Sequence, residues 1–496
     1  MPVSAAYRPD RRFDELGSEF ADPTRAEAFP QHILRFRNDR AAASVGLDTL
    51  TDPEWIAHFG HFEPLPGNLD PPLAQRYHGH QFRVYNPEIG DGRGFTFAQM
   101  REAGTGRLLD LGTKGSGRTR WSRSGDGRLT LKGGVREVLA TAMLEALGVP
   151  TSRSFSLIET GEELERGDEP SPTRSAVLVR LSHGHIRFGS FQRHAFFQRP
   201  DRITALVDHV TDIYYPELTA APDKPAALLR AVTARSARLA AAWIAAGFVH
   251  GVLNTDNMNM SGESFDYGPY RFLPHSDPNF TAAYFDHGGL YSFGRQPEAV
   301  FWNLQQLAGC LTQVADTEAL VEALNGFGPA YAEALTAAML RRLGVLSQGP
   351  EADAALVHAL FGSMAEGGEA LRWEPLFFDW FGGGSDRALA SPRGDIYRTD
   401  GFAAFRDLIA RHQPDRPERL ADPWFSRPEP EELLYDQIEA LWAPIAEADD
   451  WSAFHAKLAA IEAARRGWGF APDAAESTAT ERTKVDCDLM ESDRTL

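Results

Sequence analysis

The sequence predicts an α+β fold of two lobes, a small mixed lobe followed by a larger helical one. Three observations lead there. Hydrophobic residues make up 43% and charged residues 24% of the 496, enough apolar material for a substantial core. Between 76 and 200 short apolar runs alternate with Gly-rich turns, a strand-and-turn texture. Beyond about 203 the apolar residues recur at helical spacing instead.

Residues 1–75 are mixed and rich in Pro, Asp and Arg, and read as an irregular N-terminal extension with short helices, for example 38–46. Residues 76–202 form the small lobe. Strands are expected at 95–100, 107–114, 128–132, 153–158 and 175–181. A helix interrupts them near 134–147, where Val135, Val138, Leu139, Ala142 and Met143 share one face and Gly148-Val149-Pro150 ends it. The polar segment 159–174 reads as an exposed hairpin loop. Residues 203–345 form the helical lobe, with an Ala-rich helix at 225–246, a loop-rich stretch at 247–300, and helices near 299–315, 317–326 and 329–343. Residues 346–472 add further helices at 352–365, 401–412, 430–446 and 451–466, with 366–400 broken by Gly and Pro. The polar, aperiodic tail 473–496 reads as disordered. No internal repeat of 20–50 residues is evident.

Acidic residues outnumber basic ones by 69 to 50, a net charge of −19. That balance disfavours a nucleic-acid or anionic-membrane partner but leaves room for a local basic pocket. No apolar run reaches the ~20 residues needed to span a bilayer. The N-terminal segment has no apolar stretch after its charges, so a secretory signal is not expected. Two cysteines, Cys310 and Cys487, cannot make a disulfide framework or a Cys-rich zinc site. The expected setting is the reducing cytoplasm.

The most informative stretch is 248–268. Asn257 follows His250 by seven residues, and Asp266 follows Asn257 by nine, in an Asp-Tyr-Gly triplet. This is the spacing of a protein-kinase catalytic loop and its metal-binding triplet. An Asn amide oxygen and an Asp carboxylate are the hard ligands that hold a divalent ion between nucleotide phosphates. The third position of the loop, ordinarily the Asp that receives the acceptor proton, is Val252; the nearest carboxylate is Asp256. Upstream, an apolar strand ends on Lys114, and Glu137 sits 23 residues later on the expected helix. In a kinase-like site that Lys contacts phosphate and that Glu orients it. Glycines cluster at Gly90-Asp91-Gly92-Arg93, Gly115-Ser116-Gly117 and Gly125-Asp126-Gly127-Arg128. They suit either tight turns or backbone N–H groups presented to phosphate. Arg118, Arg120 and Arg123 make the segment after Lys114 basic. Arg180, in the apolar run AVLVRL, needs an anion, either a phosphate or a local carboxylate, and Arg187 lies just beyond. His78, His80, His183 and His185 form two His-x-His pairs with no evident third ligand, so zinc is not expected. Cys310 reads as helix core.

These motifs resemble the selenoprotein O family of kinase-like proteins. The residues that carry the resemblance are HGHQF (78–82), GDGR (90–93), TKGSG (113–117), SRSGDGR (122–128), VRE (135–137), HIRFGSF (185–191), HGVLNTDNM (250–258) and DYGP (266–269), with DPNF (277–280), RQP (295–297) and WNLQQLA (302–308) in support. The resemblance is strong from about 30 to 345 and fades afterwards. It implies a bilobal protein-kinase-like fold with extra C-terminal helices. It also implies ATP bound in flipped orientation and transfer of AMP to Ser, Thr or Tyr hydroxyls of proteins, with pyrophosphate leaving. By the same resemblance Gly90, Gly92, Arg93, Lys114, Asp126, Gly127, Arg180, Arg187 and Asp266 would bind the nucleotide. Asp256 would accept the proton, Lys114 would pair with Glu137, and Asn257 and Asp266 would hold Mg²⁺, with Mn²⁺ as the alternative.

The chain departs from the family in three places. Some members carry a selenocysteine near the C-terminus, where this chain offers only Cys487 in an atypical tail. Thr281-Ala282-Ala283 follow the DPNF stretch where other members carry a cysteine, which argues against disulfide control. The C-terminal third, including Gly382-Gly383-Gly384, looks divergent. Two other functions compete: a conventional kinase using the γ-phosphate, and a nucleotide-binding scaffold without catalysis. Val252 favours the scaffold over the kinase; the intact Lys, Glu, Asn and Asp set argues against the scaffold.

Overall fold

The computed structural model describes residues 3–167 and 169–470. It is a mixed α+β structure, sheet-rich in its N-terminal part and helical in its C-terminal part. The expected tail, Cys487 included, lies outside the described residues.

One sheet of eight strands dominates the first part. Its path runs Ala21–Pro23, Leu73–Gln75, Thr96–Arg101, Leu108–Lys114, Thr173–Ser182, Arg153–Leu164 and Ile33–Arg37, and Leu129–Thr130 also pairs with Thr173–Ser182. All of these pairings are antiparallel. Lys114 lies opposite Leu178, and Arg180 opposite Gly112, so the two cations stand on neighbouring central strands.

The helix expected near 134–147 is Leu131–Ala146, and it packs against Arg153–Leu164 and Thr173–Ser182. The Thr130 hydroxyl caps it by accepting from the Gly133 amide at 3.1 Å. Its apolar face, with Leu131, Val135, Val138, Leu139 and Met143, is buried.

Three features differ from the sequence reading. The stretch 1–75 is not an irregular extension: it supplies three strands of the main sheet. Its Asp52–Phe59 helix seals one face of that sheet, with the Trp55 ring stacked on Phe155 at 4.9 Å. These strands are only three to five residues long, and their partners lie far along the chain, so no local period marks them. The segment 159–174 is mostly strand, because Arg153–Leu164 and Thr173–Ser182 run through it and only the turn between is irregular. Helices also begin earlier than 203, at Phe188–Phe196 and Pro200–Tyr214, so a boundary at 202 would cut the second of these.

The helical part is built on Lys224–Ala245, which packs against Gln296–Leu311, Thr317–Asn325 and Phe327–Leu343. Its many alanines let those neighbours approach closely. The region 366–400 holds a buried helix, Trp373–Trp380, despite its glycines. Near the end of the described chain, Ser452–Trp468 returns to pack on Leu131–Ala146. Asp449, just before it, pairs with Arg174 at 2.6 Å and Arg35 at 3.0 Å, fastening the C-terminal helices to the sheet.

Candidate active site

Between the sheet and the helices lies a cleft of about 1040 Å³. Lys114, Glu137, Asp256, Asn257 and Asp266 line it, as do Gly90, Gly92, Arg93, Asp126 and Gly127. Ten of the twelve residues singled out in the sequence therefore face one space. The other two, Arg180 and Arg187, lie immediately behind its wall, only 4% and 6% exposed.

The order of the charged groups is set by the two strands, the helix and the loop that carries Asp256 and Asn257. Lys114 pairs with Glu137 and sits 2.7 Å from Asp266. Asp266 Oδ1 is also 3.3 Å from Arg180 Nη1, so Arg180's anion here is a carboxylate. The Asn257 amide donates to Asp266 Oδ2 at 3.1 Å. Burial pushes the Asp266 carboxyl up, but Lys114, Arg180, Arg93 and Arg187 together hold it well below the usual carboxylate range. It is an anion at any physiological pH. Arg187 donates to the main-chain oxygen of Asp256 at 3.0 Å and pairs with Asp91 at 3.2 Å. Its guanidinium stacks over Tyr77 at 4.5 Å and Phe265 at 5.0 Å. The Nε atoms of both Arg180 and Arg187 are buried without a hydrogen-bond partner.

Asp256 has the opposite character to Asp266. Burial pushes its carboxyl up to about 6, against the pull of Arg187. Its Oδ1 is buried and without a hydrogen-bond partner. A carboxyl in that state is suited to taking up a proton near neutral pH. Val252 lines the same space and contributes only bulk.

The HGHQF motif holds the loop at 254–257. The His80 amide donates to Thr255 Oγ1 at 2.7 Å, and the Phe82 amide donates to Asn254 Oδ1 at 3.0 Å. The two histidines face different partners: His78 Nδ1 meets Tyr85 Oη at 2.8 Å, and the Gln192 amide donates to His80 Nδ1 at 2.7 Å. Gly79 is the tight point. A Cβ there would stand 2.9 Å from Asp256 Oδ1. His250 is buried, and its Nε2 lies 3.0 Å from the carbonyl of Phe265, tying the loop to the residue before Asp266. A Cβ at Gly90 would fall 2.6 Å from the Trp121 ring, so GDGR is glycine-rich because the 118–128 segment folds down upon it.

The donor set fits a hard divalent ion. Asn257 and Asp266 converge at hydrogen-bonding distance, and Asp256 Oδ1 beside them has no partner. Among the described residues no group of three or more His, Cys, Asp or Glu forms a metal cage. Two protein ligands completed by phosphate oxygens and water is the usual pattern for Mg²⁺ at nucleotides.

Several lining residues were not singled out from the sequence: Tyr77, Trp121, Lys132, Arg136, Tyr435 and Glu439. Arg136 adjoins Glu137 in the VRE motif and could have been found there. Tyr435 and Glu439 come from the Tyr435–Ala448 helix, some 300 residues from the strand–helix pair they face, and nothing local marks them. Cys310 is buried in its helix, its thiol pushed up to about 12 by that burial. No helix of the described residues is long and apolar enough to cross a membrane.

Residues 3–377 match the family model described as "Protein adenylyltransferase SelO". The chain belongs to the SelO family. A relative from Synechococcus elongatus, described as "Protein nucleotidyltransferase YdiU", is 45% identical over 481 residues, 92% of this chain and 94% of its own. One of the same description from Gloeobacter violaceus is 46% identical over 465 residues, 90% and 93% of the two chains. One from Pseudomonas putida is 38% identical over 405 residues, 81% and 82% of the two chains. The similarity to SelO relatives thus runs well past residue 345, where the sequence reading had it fade.

Proposed function

We propose that the cleft holds ATP in flipped orientation within a kinase-like fold and transfers AMP to a hydroxyl of a protein. Membership of the SelO family makes the chain a protein adenylyltransferase; the orientation of the nucleotide and the roles of its residues are the finer reading. One observation carries that reading. Arg180 and Arg187 are buried at the inner end of the site, each with an unpartnered Nε. Each already pairs with a carboxylate, Arg180 with Asp266 and Arg187 with Asp91, yet each keeps a buried donor unfilled, and a terminal phosphate is the ligand that such a pair of guanidinium groups suits. With the terminal phosphate held there, the α-phosphorus is the one left facing Asp256.

In this reading Lys114, held by Glu137, and Arg93 neutralise phosphate charge, and the glycine-rich segments with Gly90, Gly92, Asp126 and Gly127 cover the chain of phosphates. Asn257 and Asp266 would hold Mg²⁺, or Mn²⁺, and the ion would supply charge neutralisation at the phosphates. Asp256 takes the proton from the acceptor Ser, Thr or Tyr hydroxyl. That oxygen bonds to the α-phosphorus, the bond from the α-phosphorus to the α–β bridging oxygen breaks, and pyrophosphate leaves with those electrons. Catalysis is by positioning and charge neutralisation. Val252 is then no defect, since the acceptor approaches a different phosphorus and is served by Asp256.

The test is incubation with ATP labelled at the α- or the γ-phosphate. Label retained on protein from the α position alone is expected, with a mass increase of about 329 Da, the AMP moiety whose transfer the positioning above requires. Label from the γ position alone would make the protein a kinase. Binding of ATP without retention of either label, across a set of acceptor proteins and the protein itself, would make it a scaffold.

A further inference from the structure

The inverted reading assigns the phosphates and leaves the other end of the cleft without a ligand. That end is built from three elements. The Leu131–Ala146 helix brings Lys132 and Arg136. The segment after Asp266 brings Gly268, Pro269 and Arg271. The Tyr435–Ala448 helix brings Tyr435 and Glu439.

The three are locked together. Lys132 Nζ pairs with Glu439 at 2.7 Å. Arg136 Nη2 donates to the carbonyls of Tyr270 at 3.1 Å and Gly268 at 3.3 Å. Arg271 Nη1 donates to the carbonyls of Pro269 at 2.8 Å and Tyr270 at 2.9 Å. The Arg271 guanidinium then lies flat against Tyr435, 3.9 Å from the ring centroid. Tyr435 remains 41% exposed although it lines the cleft. One face of an aromatic ring is thus backed by a fixed cation, and much of the ring is left open. An Arg–aromatic stack of this kind is a platform for another flat π system.

We propose that Tyr435, backed by Arg271, is the seat of the nucleobase. This rests on the inverted reading: with the γ-phosphate at Arg180 and Arg187 and the α-phosphate at Asn257 and Asp266, the nucleoside projects away from the buried arginines. Of the other aromatic rings that line the cleft, Tyr77 is buried beneath the Arg187 guanidinium, Tyr267 is almost wholly buried, and Trp121 lies against Gly90. Tyr284 and Phe285 are exposed on the 281–285 segment and pack edge-on against each other. The Tyr435 platform also explains why a helix so late in the chain is pinned to the cleft by an ion pair.

The experiment separates base from phosphate. Affinities of the full-length protein for ATP and for inorganic tripolyphosphate, each with Mg²⁺, are measured by calorimetry for the wild type, Tyr435→Ala, Tyr435→Phe and Arg187→Met. Tyr435→Ala is expected to weaken ATP by about 5- to 100-fold, the span of one stacked base, and to leave tripolyphosphate unchanged. Tyr435→Phe is expected to restore ATP. Wild-type affinity for ATP in Tyr435→Ala overturns the proposal, as does a parallel loss of both ligands. The phosphate reading is scored separately: Arg187→Met is expected to lose tripolyphosphate, and if it does not, the inverted orientation fails whatever Tyr435 does.

Discussion

Replacing Asp256 by Asn should abolish catalysis and stabilise the fold at the same time. The two effects have one cause. The carboxyl's ordinary value is 3.8, and burial lifts it to about 6. Each pKa unit is worth about 1.4 kcal/mol, so the ionised form costs the folded state on the order of 2 to 3 kcal/mol. The sign follows from linkage. Below about pH 4 the group is protonated in both folded and unfolded chains and the penalty is absent. It grows between about 4 and 6 and is complete above 6. Asn has nearly the same shape and cannot ionise. The variant should therefore melt at higher temperature than the wild type at pH 7.5, with the gap closing as the pH falls toward 4. Loss of the proton acceptor should meanwhile lower kcat by about 10²- to 10⁴-fold, equivalent to roughly 3 to 5 kcal/mol of barrier. Thermal melts at the two pH values and initial rates of AMP incorporation measure both. A variant that melts lower at pH 7.5, or one that keeps kcat within tenfold, would refute the assignment of Asp256 as a strained, buried base.

Three further outcomes are expected. Glu137→Gln removes one partner of a buried ion pair, a change that commonly costs about 3–5 kcal/mol; because Lys114 keeps Asp266 at 2.7 Å, the melting penalty should fall short of that range while kcat drops at least tenfold. Gly79→Ala places a methyl 2.9 Å from Asp256 Oδ1 and 2.8 Å from Ile89, so AMP-transfer kinetics should show lower kcat with ATP affinity preserved. Asp449→Asn loosens the clasp on Arg35 and Arg174; as its side chain is half exposed, denaturant titration should show a loss of about 1 kcal/mol or less. Arg174, Trp451 and Arg35 overcome the upward push of burial and hold that carboxyl down to about 2, so the difference from wild type is present above about pH 4 and vanishes as the pH falls toward 2.

The centre of the site was readable because its chemistry is local in sequence. Asn257 and Asp266 lie nine residues apart on one loop pair, and Lys114, which ends a strand, is 23 residues before Glu137 on the Leu131–Ala146 helix, with only the short Leu129–Thr130 strand between. Spacing then carries real geometry. Arg180 could be recognised as needing an anion but not assigned one, because Asp266 reaches it from 86 residues away. The N-terminal strands escaped notice since three-residue strands such as Ala21–Pro23 have no period to detect. Asp91, the partner of Arg187, was seen only as part of a glycine turn. Tyr435 was invisible for a stronger reason: its role exists only after the chain has folded back across the cleft.

That return of the chain sets where it can be divided. A fragment ending at residue 377, where the family model stops, would keep Lys114, Glu137, Asp256, Asn257 and Asp266 and lose one flank of the cavity together with the clasp on the sheet. Grafting 430–470 from one relative onto the body of another should consequently transplant the choice of nucleotide without touching the machinery of transfer, a modular exchange that swaps of the sheet-rich or helical parts would not achieve.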